Sequence, residues 1–155
     1  MKNVVIVLVI GFLSFITYVN WDTEGDGEID LNKITYGVLR LNYGNRELFG
    51  DTCTYHIVSR ADIRNAEKIL RRELENYNST AKYPHSHEDY GRQFLGARTP
   101  GGDVLMYVAC FLGPDYHQKL WLIPVVVYDG GDSYIDVLMN VTTGEVLSFS
   151  PHGGA

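Results

Sequence analysis

Turn sequences divide the second half of the chain into short strand-like segments, and this pattern limits the fold more than any other feature. Five segments have strand-like composition and are separated by turns rich in Gly, Pro, Asp and Thr: 90–97, 104–112, 120–128, 134–141 and 146–150. In the fourth, the apolar residues Ile135, Val137 and Met139 fall on one face and the polar residues Asp136 and Asn140 on the other, which is the period of a half-buried strand. Short connections of this kind join antiparallel neighbours. The pattern predicts a meander of four or five antiparallel strands.

One long amphipathic helix is predicted before these strands. Ser59 is a typical N-cap residue, and Asp62 three positions later makes a capping box in which Asp replaces the usual Glu or Gln. Apolar residues then recur at spacings of three and four: Ile63, Ala66, Leu70, Leu74 and Tyr77. Because such a stripe must be buried, the apolar face of the sheet is its expected partner. The predicted fold class is α+β, with an N-terminal hydrophobic helix followed by one long helix packed on the meander.

Several phrases of the chain resemble those of small exported bacterial proteins of unassigned function. They are YGRQFLG, VACF, YDGGDSYIDVLMNVTTGEVLSF and the final HGGA. The helix followed by turn-linked strands also resembles the cystatin-like architecture, and the resemblance covers residues 59–155. The resemblance implies a fold and assigns no active-site residues. True cystatins use a Gln-x-Val-x-Gly hairpin, whereas Gln93-Phe-Leu-Gly96 has its glycine one position early, so inhibition of cysteine proteases is not predicted.

The N-terminal segment predicts where the protein works. Residues 4–19 carry no charge and follow the basic Lys2, as in an export signal. No Ala-x-Ala cleavage pattern ends the run, and Tyr18 and Trp21 lie where interfacial aromatics anchor a spanning helix. As a helix the run spans roughly 24 Å, slightly less than a hydrocarbon core of about 30 Å. Residues 1–20 are therefore predicted to be a cleaved signal peptide or an uncleaved membrane anchor, and the rest is predicted to be extracytoplasmic, periplasmic or on the cell surface.

The remainder is predicted to be an acidic linker, residues 21–33, and one α+β domain, residues 34–155. The chain holds nineteen acidic and thirteen basic residues, and its formal charge is −6. Lys2 is the only charged residue before the linker, so the exported part carries about −7. An acidic domain without a basic cluster argues against binding nucleic acid, which requires phosphate neutralisation.

Two segments could bind metal. Residues 22–30 resemble the first nine positions of an EF-hand or dockerin calcium loop, although Lys33 occupies the twelfth position, where a carboxylate is needed. The candidate calcium ligands are Asp22, Glu24, Asp26, Glu28 and Asp30. His85 and His87 are weaker candidates for zinc or copper. The simpler interpretation is an acidic spacer and a polar loop, so no cofactor is predicted beyond this Ca²⁺ alternative.

These features predict an exported or membrane-anchored binding module that is non-enzymatic rather than catalytic and has a protein partner. By analogy of fold, an inhibitory or immunity-like role toward a toxin or hydrolase is consistent with such a scaffold. One alternative is a pocket for a small ligand, or an enzyme site, between helix and sheet. The other is calcium binding through residues 22–30.

Overall fold

The structure, a computed structural model, describes residues 31, 36–39, 45–81, 83–112 and 131–152. Its elements in chain order are strand β1 (Tyr36–Val38), helix α1 (Asn45–Phe49), strand β2 (Thr54–His56), helix α2 (Arg60–Asn78), a 3₁₀ helix (His87–Asp89) and strands β3 (Tyr90–Arg98), β4 (Val104–Leu112), β5 (Gly131–Asn140) and β6 (Glu145–His152). The predicted signal or anchor 1–20, the calcium loop 22–30 and the predicted strand 120–128 lie outside the described residues.

Local sequence accounts for where α2 begins. The Ser59 hydroxyl accepts a hydrogen bond from the Asp62 amide at 3.2 Å, and the Asp62 carboxylate accepts one from the Ser59 amide at 2.8 Å. The predicted capping box is therefore confirmed. Val58 before the cap and Ile63 in the first turn belong to the same apolar core, as in a hydrophobic staple.

The strands form one mixed sheet of six, in which β3, β4, β5 and β6 are consecutive antiparallel neighbours. The other edge of β3 is shared by two three-residue strands. β1 pairs with its first half in parallel, and β2 pairs with its second half antiparallel. Gly96 permits the close approach of β2, because a Cβ at this position would lie 2.7 Å from Val58 Cγ2 and 3.1 Å from the His56 carbonyl oxygen.

Register divides the sheet residues between two faces. One row crosses five strands and belongs to the core that also holds the buried side of α2: Val38, Phe94, Val108, Val137 and Phe149. The neighbouring row, on the opposite face, contains Gln93, Ala109, Asp136 and Ser150. A second, smaller core on that face consists of Leu39, Phe49, Leu95, Ala97 and Leu105. Both faces of β3 are thus buried, which explains why its alternation is weak in the sequence.

The predicted architecture, a long helix on a four- or five-stranded antiparallel meander in a cystatin-like arrangement, is wrong. The sheet has six strands and a parallel pair, and sheet predominates, with α2 as the one long helix among the described residues. β1 and β2 are three residues each, too short to produce a periodicity that sequence reasoning can detect. Within the described ranges, no helix is long and apolar enough to cross a membrane. No N-terminal apolar helix is seen, since residues 1–20 fall outside those ranges.

Two predicted turns are confirmed. Gly102 has a φ of +96° in the connection between β3 and β4, and Gly144 has a φ of +80° between β5 and β6. Both values lie in the left-handed region that glycine enters without steric cost. Asn140 tightens the second turn, because its side-chain oxygen accepts hydrogen bonds from the amides of Thr142 and Thr143 at 3.0 and 3.2 Å.

Candidate functional site

Three ionisable side chains are buried together between α2, the 3₁₀ helix and β3. Glu67 projects from the apolar stripe of α2, and its two carboxylate oxygens lie 2.7 Å from Arg92 Nε and 2.7 Å from His87 Nε2. The side chains of Glu67 and Arg92 have no solvent exposure, and that of His87 is 6% exposed. We call these three residues the buried charge cluster.

The buried charge cluster holds structural elements together. Arg92 and Glu67 form an ion pair, and His87 Nε2 contacts the other Glu67 oxygen; neither contact has the geometry of a well-directed hydrogen bond. Arg92 uses its two terminal nitrogens to donate to the backbone carbonyls of Tyr90 and His87. The cluster therefore joins helix, 3₁₀ helix and sheet, and it leaves the guanidinium enclosed rather than presented to a ligand.

A second group fixes the start of α2 to β2 and β3. His56 Nε2 lies 2.9 Å from the Asp62 carboxylate, and Arg98 lies 3.2 Å from His56 Nδ1. Asp62 also accepts from the Ser59 hydroxyl at 2.6 Å. Because both ring nitrogens of His56 are occupied, its imidazole has no free nitrogen with which to act as a base.

The third group lies on the sheet face opposite α2 and is open to solvent. Asp136 on β5 contacts His152 Nε2 on β6 at 2.6 Å and accepts a hydrogen bond from the Tyr107 hydroxyl on β4 at 2.7 Å. Ser150 on β6 is the register partner of Asp136 and lies on the same face. The side chains of His152 and Asp136 are 28% and 32% exposed, so a partner can reach them. We call Tyr107, Asp136, Ser150 and His152 the Asp136 patch.

Hydrogen bonding fixes the chemical character of the Asp136 patch. A carboxylate oxygen only accepts hydrogen bonds, so at 2.6 Å His152 Nε2 is the donor to Asp136. Burial, and then the hydrogen bond and charge of Asp136, raise the pKa of the Tyr107 phenol, so Tyr107 stays protonated and donates. The patch is preorganised, since tyrosine and histidine are both held by one carboxylate.

The predicted metal-ligating histidines do not converge. His87 is turned inward to Glu67, whereas the ring of His85 packs edge-on against Tyr90 with centroids 6.1 Å apart. Among the described residues, no three His, Cys, Asp or Glu side chains are placed to hold a metal ion. The calcium candidates Asp22, Glu24, Asp26, Glu28 and Asp30 are outside those residues, so that hypothesis stays a prediction.

Both cysteines are free thiols. Cys110 on β4 is buried, and burial, outweighing the opposing effect of Arg92, raises the pKa of its thiol to about 12. A thiol that stays protonated is a poor nucleophile, so Cys110 serves as a core residue.

Sequence reasoning missed Glu67, Arg92 and the pairing of Asp136 with His152. A signal for the first existed, because Glu67 falls four residues after Ile63 and three before Leu70, inside the predicted apolar stripe. A charged residue within such a stripe becomes buried when the helix packs, and a buried charge is rare unless it is paired. The sequence pattern predicts Asp136 on the polar face of its strand, but only the register of β6 brings His152 close to it. No protein-family model, curated protein or solved structure matches the chain.

Proposed function

We propose that this protein is an extracytoplasmic, non-enzymatic binding module that recognises a protein partner through the Asp136 patch. The observation that carries the proposal is the geometry of that patch, in which one carboxylate holds Tyr107 and His152 on a solvent-accessible sheet face. Preorganised polar and aromatic groups lose little conformational entropy on binding, which favours recognition.

The interior between α2 and the sheet supports binding over catalysis. Outside the buried charge cluster the side chains there are apolar and almost fully buried, including Leu70, Phe94 and Val137. The buried charge cluster is paired internally, with Glu67 between His87 and Arg92. An enzyme or small-ligand pocket in this position would need convergent polar groups that reach an open space, so that alternative has less support.

Residues 1–20 supply the proposed location. A basic start, an uncharged run and the aromatic residues Tyr18 and Trp21 support export, followed by cleavage or anchoring. The resemblance to small exported bacterial proteins supports the same compartment. An inhibitory or immunity-like role toward a toxin or hydrolase stays a prediction, as does calcium binding by residues 22–30.

Site-specific photo-crosslinking in the source cells tests the proposal. A photoreactive phenylalanine analogue replaces Ser150, which is exposed within the patch, and in a matched chain it replaces Glu75, which is exposed on α2. We expect one discrete protein adduct from position 150 that weakens when His152→Ala is added. Position 75 should not give the same adduct. Equal adducts at both positions, or none at position 150, would contradict the proposal.

A further inference from the structure

We infer that the group the partner presents to the Asp136 patch is a cationic hydrogen-bond donor, an Arg or Lys side chain. This inference rests on the proposed function and adds the chemistry of the contact. Its first support is that two hydrogen-bond donors of the patch are already engaged within it. His152 Nε2–H and the Tyr107 hydroxyl both point at Asp136.

What the patch offers outward is therefore acceptor capacity. The second ring nitrogen of His152, Nδ1, has no hydrogen-bond partner among the described residues. Each Asp136 oxygen accepts one hydrogen bond, from His152 or from Tyr107, and a carboxylate oxygen has room for a second. The Ser150 hydroxyl, on the same face, can accept or donate. A donor group on the partner would complete this set.

The Asp136 carboxylate favours a cationic donor over an anionic ligand. Asp136 is the one acidic residue of the patch, which contains no Lys or Arg, and the cations described in contact with acids, Arg71, Arg72 and Arg92, pair with other carboxylates. At the four patch residues an anionic ligand would meet a carboxylate, and the Tyr107 hydroxyl and His152 Nε2–H already donate to that carboxylate. A guanidinium or ammonium group would form charge-assisted hydrogen bonds, which are about twice as strong as neutral ones. The net charge of −6 also attracts a cationic partner at long range.

Peptide binding to the full chain tests this chemistry even while the partner is unidentified. The probes are a blocked Gly-Arg-Gly-Arg-Gly peptide, the same peptide with citrulline in place of Arg, and the same peptide with Glu. Binding is followed by the NMR signals of the ¹³C-labelled His152 ring at low salt. We expect saturable shifts with the Arg peptide, at least about tenfold weaker binding of the citrulline peptide, and no binding of the Glu peptide.

Two variants locate the contact. Asp136→Asn removes the charge and should weaken binding of the Arg peptide about tenfold. Glu75→Gln removes the same charge from the exposed side of α2 and should leave binding unchanged. If circular dichroism shows that Asp136→Asn is unfolded, the variant Ser150→Lys is used in its place. A lysine at position 150 lies beside Asp136 and can donate to its carboxylate, so it should abolish binding of the Arg peptide.

Three results would overturn the inference: equal binding of the Arg and citrulline peptides, binding of the Glu peptide, or full binding by the patch variant. None of them removes a patch-dependent crosslink at position 150. A failure of donor chemistry is therefore distinguishable from a failure of the proposed function, which the crosslink alone decides.

Discussion

At the scale of single residues, the chain is notable for the charges it buries. Glu67 and Arg92 have fully buried side chains, and burial of an unpaired ion is very costly. The carboxylate compensates Arg92 and contacts His87, while two carbonyls accept from the guanidinium. Each member is therefore tolerated only because the others are present.

Removal of one member should cost more than removal of two. Glu67→Leu leaves the Arg92 guanidinium buried beside apolar atoms, and we expect a loss of about 3–5 kcal/mol in the free energy of unfolding. Glu67→Leu combined with Arg92→Met removes the stranded charge and should recover about half or more of that loss. Urea unfolding of the full chain measures both variants, and Asn65→Ala on the exposed side of α2 is the control. A double variant less stable than the single one would show that pairing is not what makes Glu67 tolerable.

At the scale of elements, α2 depends on its N-terminal cap. Burial acts to raise the pKa of the Asp62 carboxyl, but hydrogen bonds from Ser59 and His56 outweigh it and lower the pKa below the usual value of 3.8. A carboxyl whose pKa is lowered by folding contributes stability above its unfolded pKa. That contribution is lost as the pH falls through the folded value.

The Asp62 cap should therefore weaken in acid. At pH 7, Asp62→Ala should lower the free energy of unfolding by about 1 kcal/mol, because the capping interactions are lost. The difference from wild type should shrink as the pH falls from the usual pKa of 3.8 through the lower pKa of folded Asp62, because the cap weakens as that carboxyl is protonated. Urea titrations at pH 7, 5 and 3 measure it, with Glu75→Ala, at the other end of α2, as the control. A difference that does not change with pH would contradict this role.

At the scale of the whole molecule, strand order creates the two different faces. β3 is buried on both sides and carries Arg92 toward α2, whereas β5 and β6 carry Asp136 and His152 on the other face. Structural charges and the proposed binding groups are thus separated by the thickness of the sheet. The N-terminal segment, which is outside the described residues, is proposed to set the compartment in which the patch meets its partner.

The N-terminal segment should decide localisation. The full chain should be accessible to protease in intact spheroplasts, and it should stay with membranes after a carbonate wash if the segment is not cleaved. A chain that lacks residues 2–20 should be found in the cytoplasm. Fractionation with N-terminal sequencing measures both outcomes. A full chain confined to the cytoplasm would refute export.

Sequence alone determined the features that depend on local interactions. The cap at Ser59, the buried stripe of α2, the strand 104–112 and the glycine turns follow from contacts between residues a few positions apart. The tertiary structure decided the features that depend on register and pairing: the parallel β1–β3 pair, the place of β2, and the contacts Glu67–Arg92 and Asp136–His152. In a strand, a shift of one residue moves every side chain to the other face, so local pattern cannot reveal which distant groups will meet.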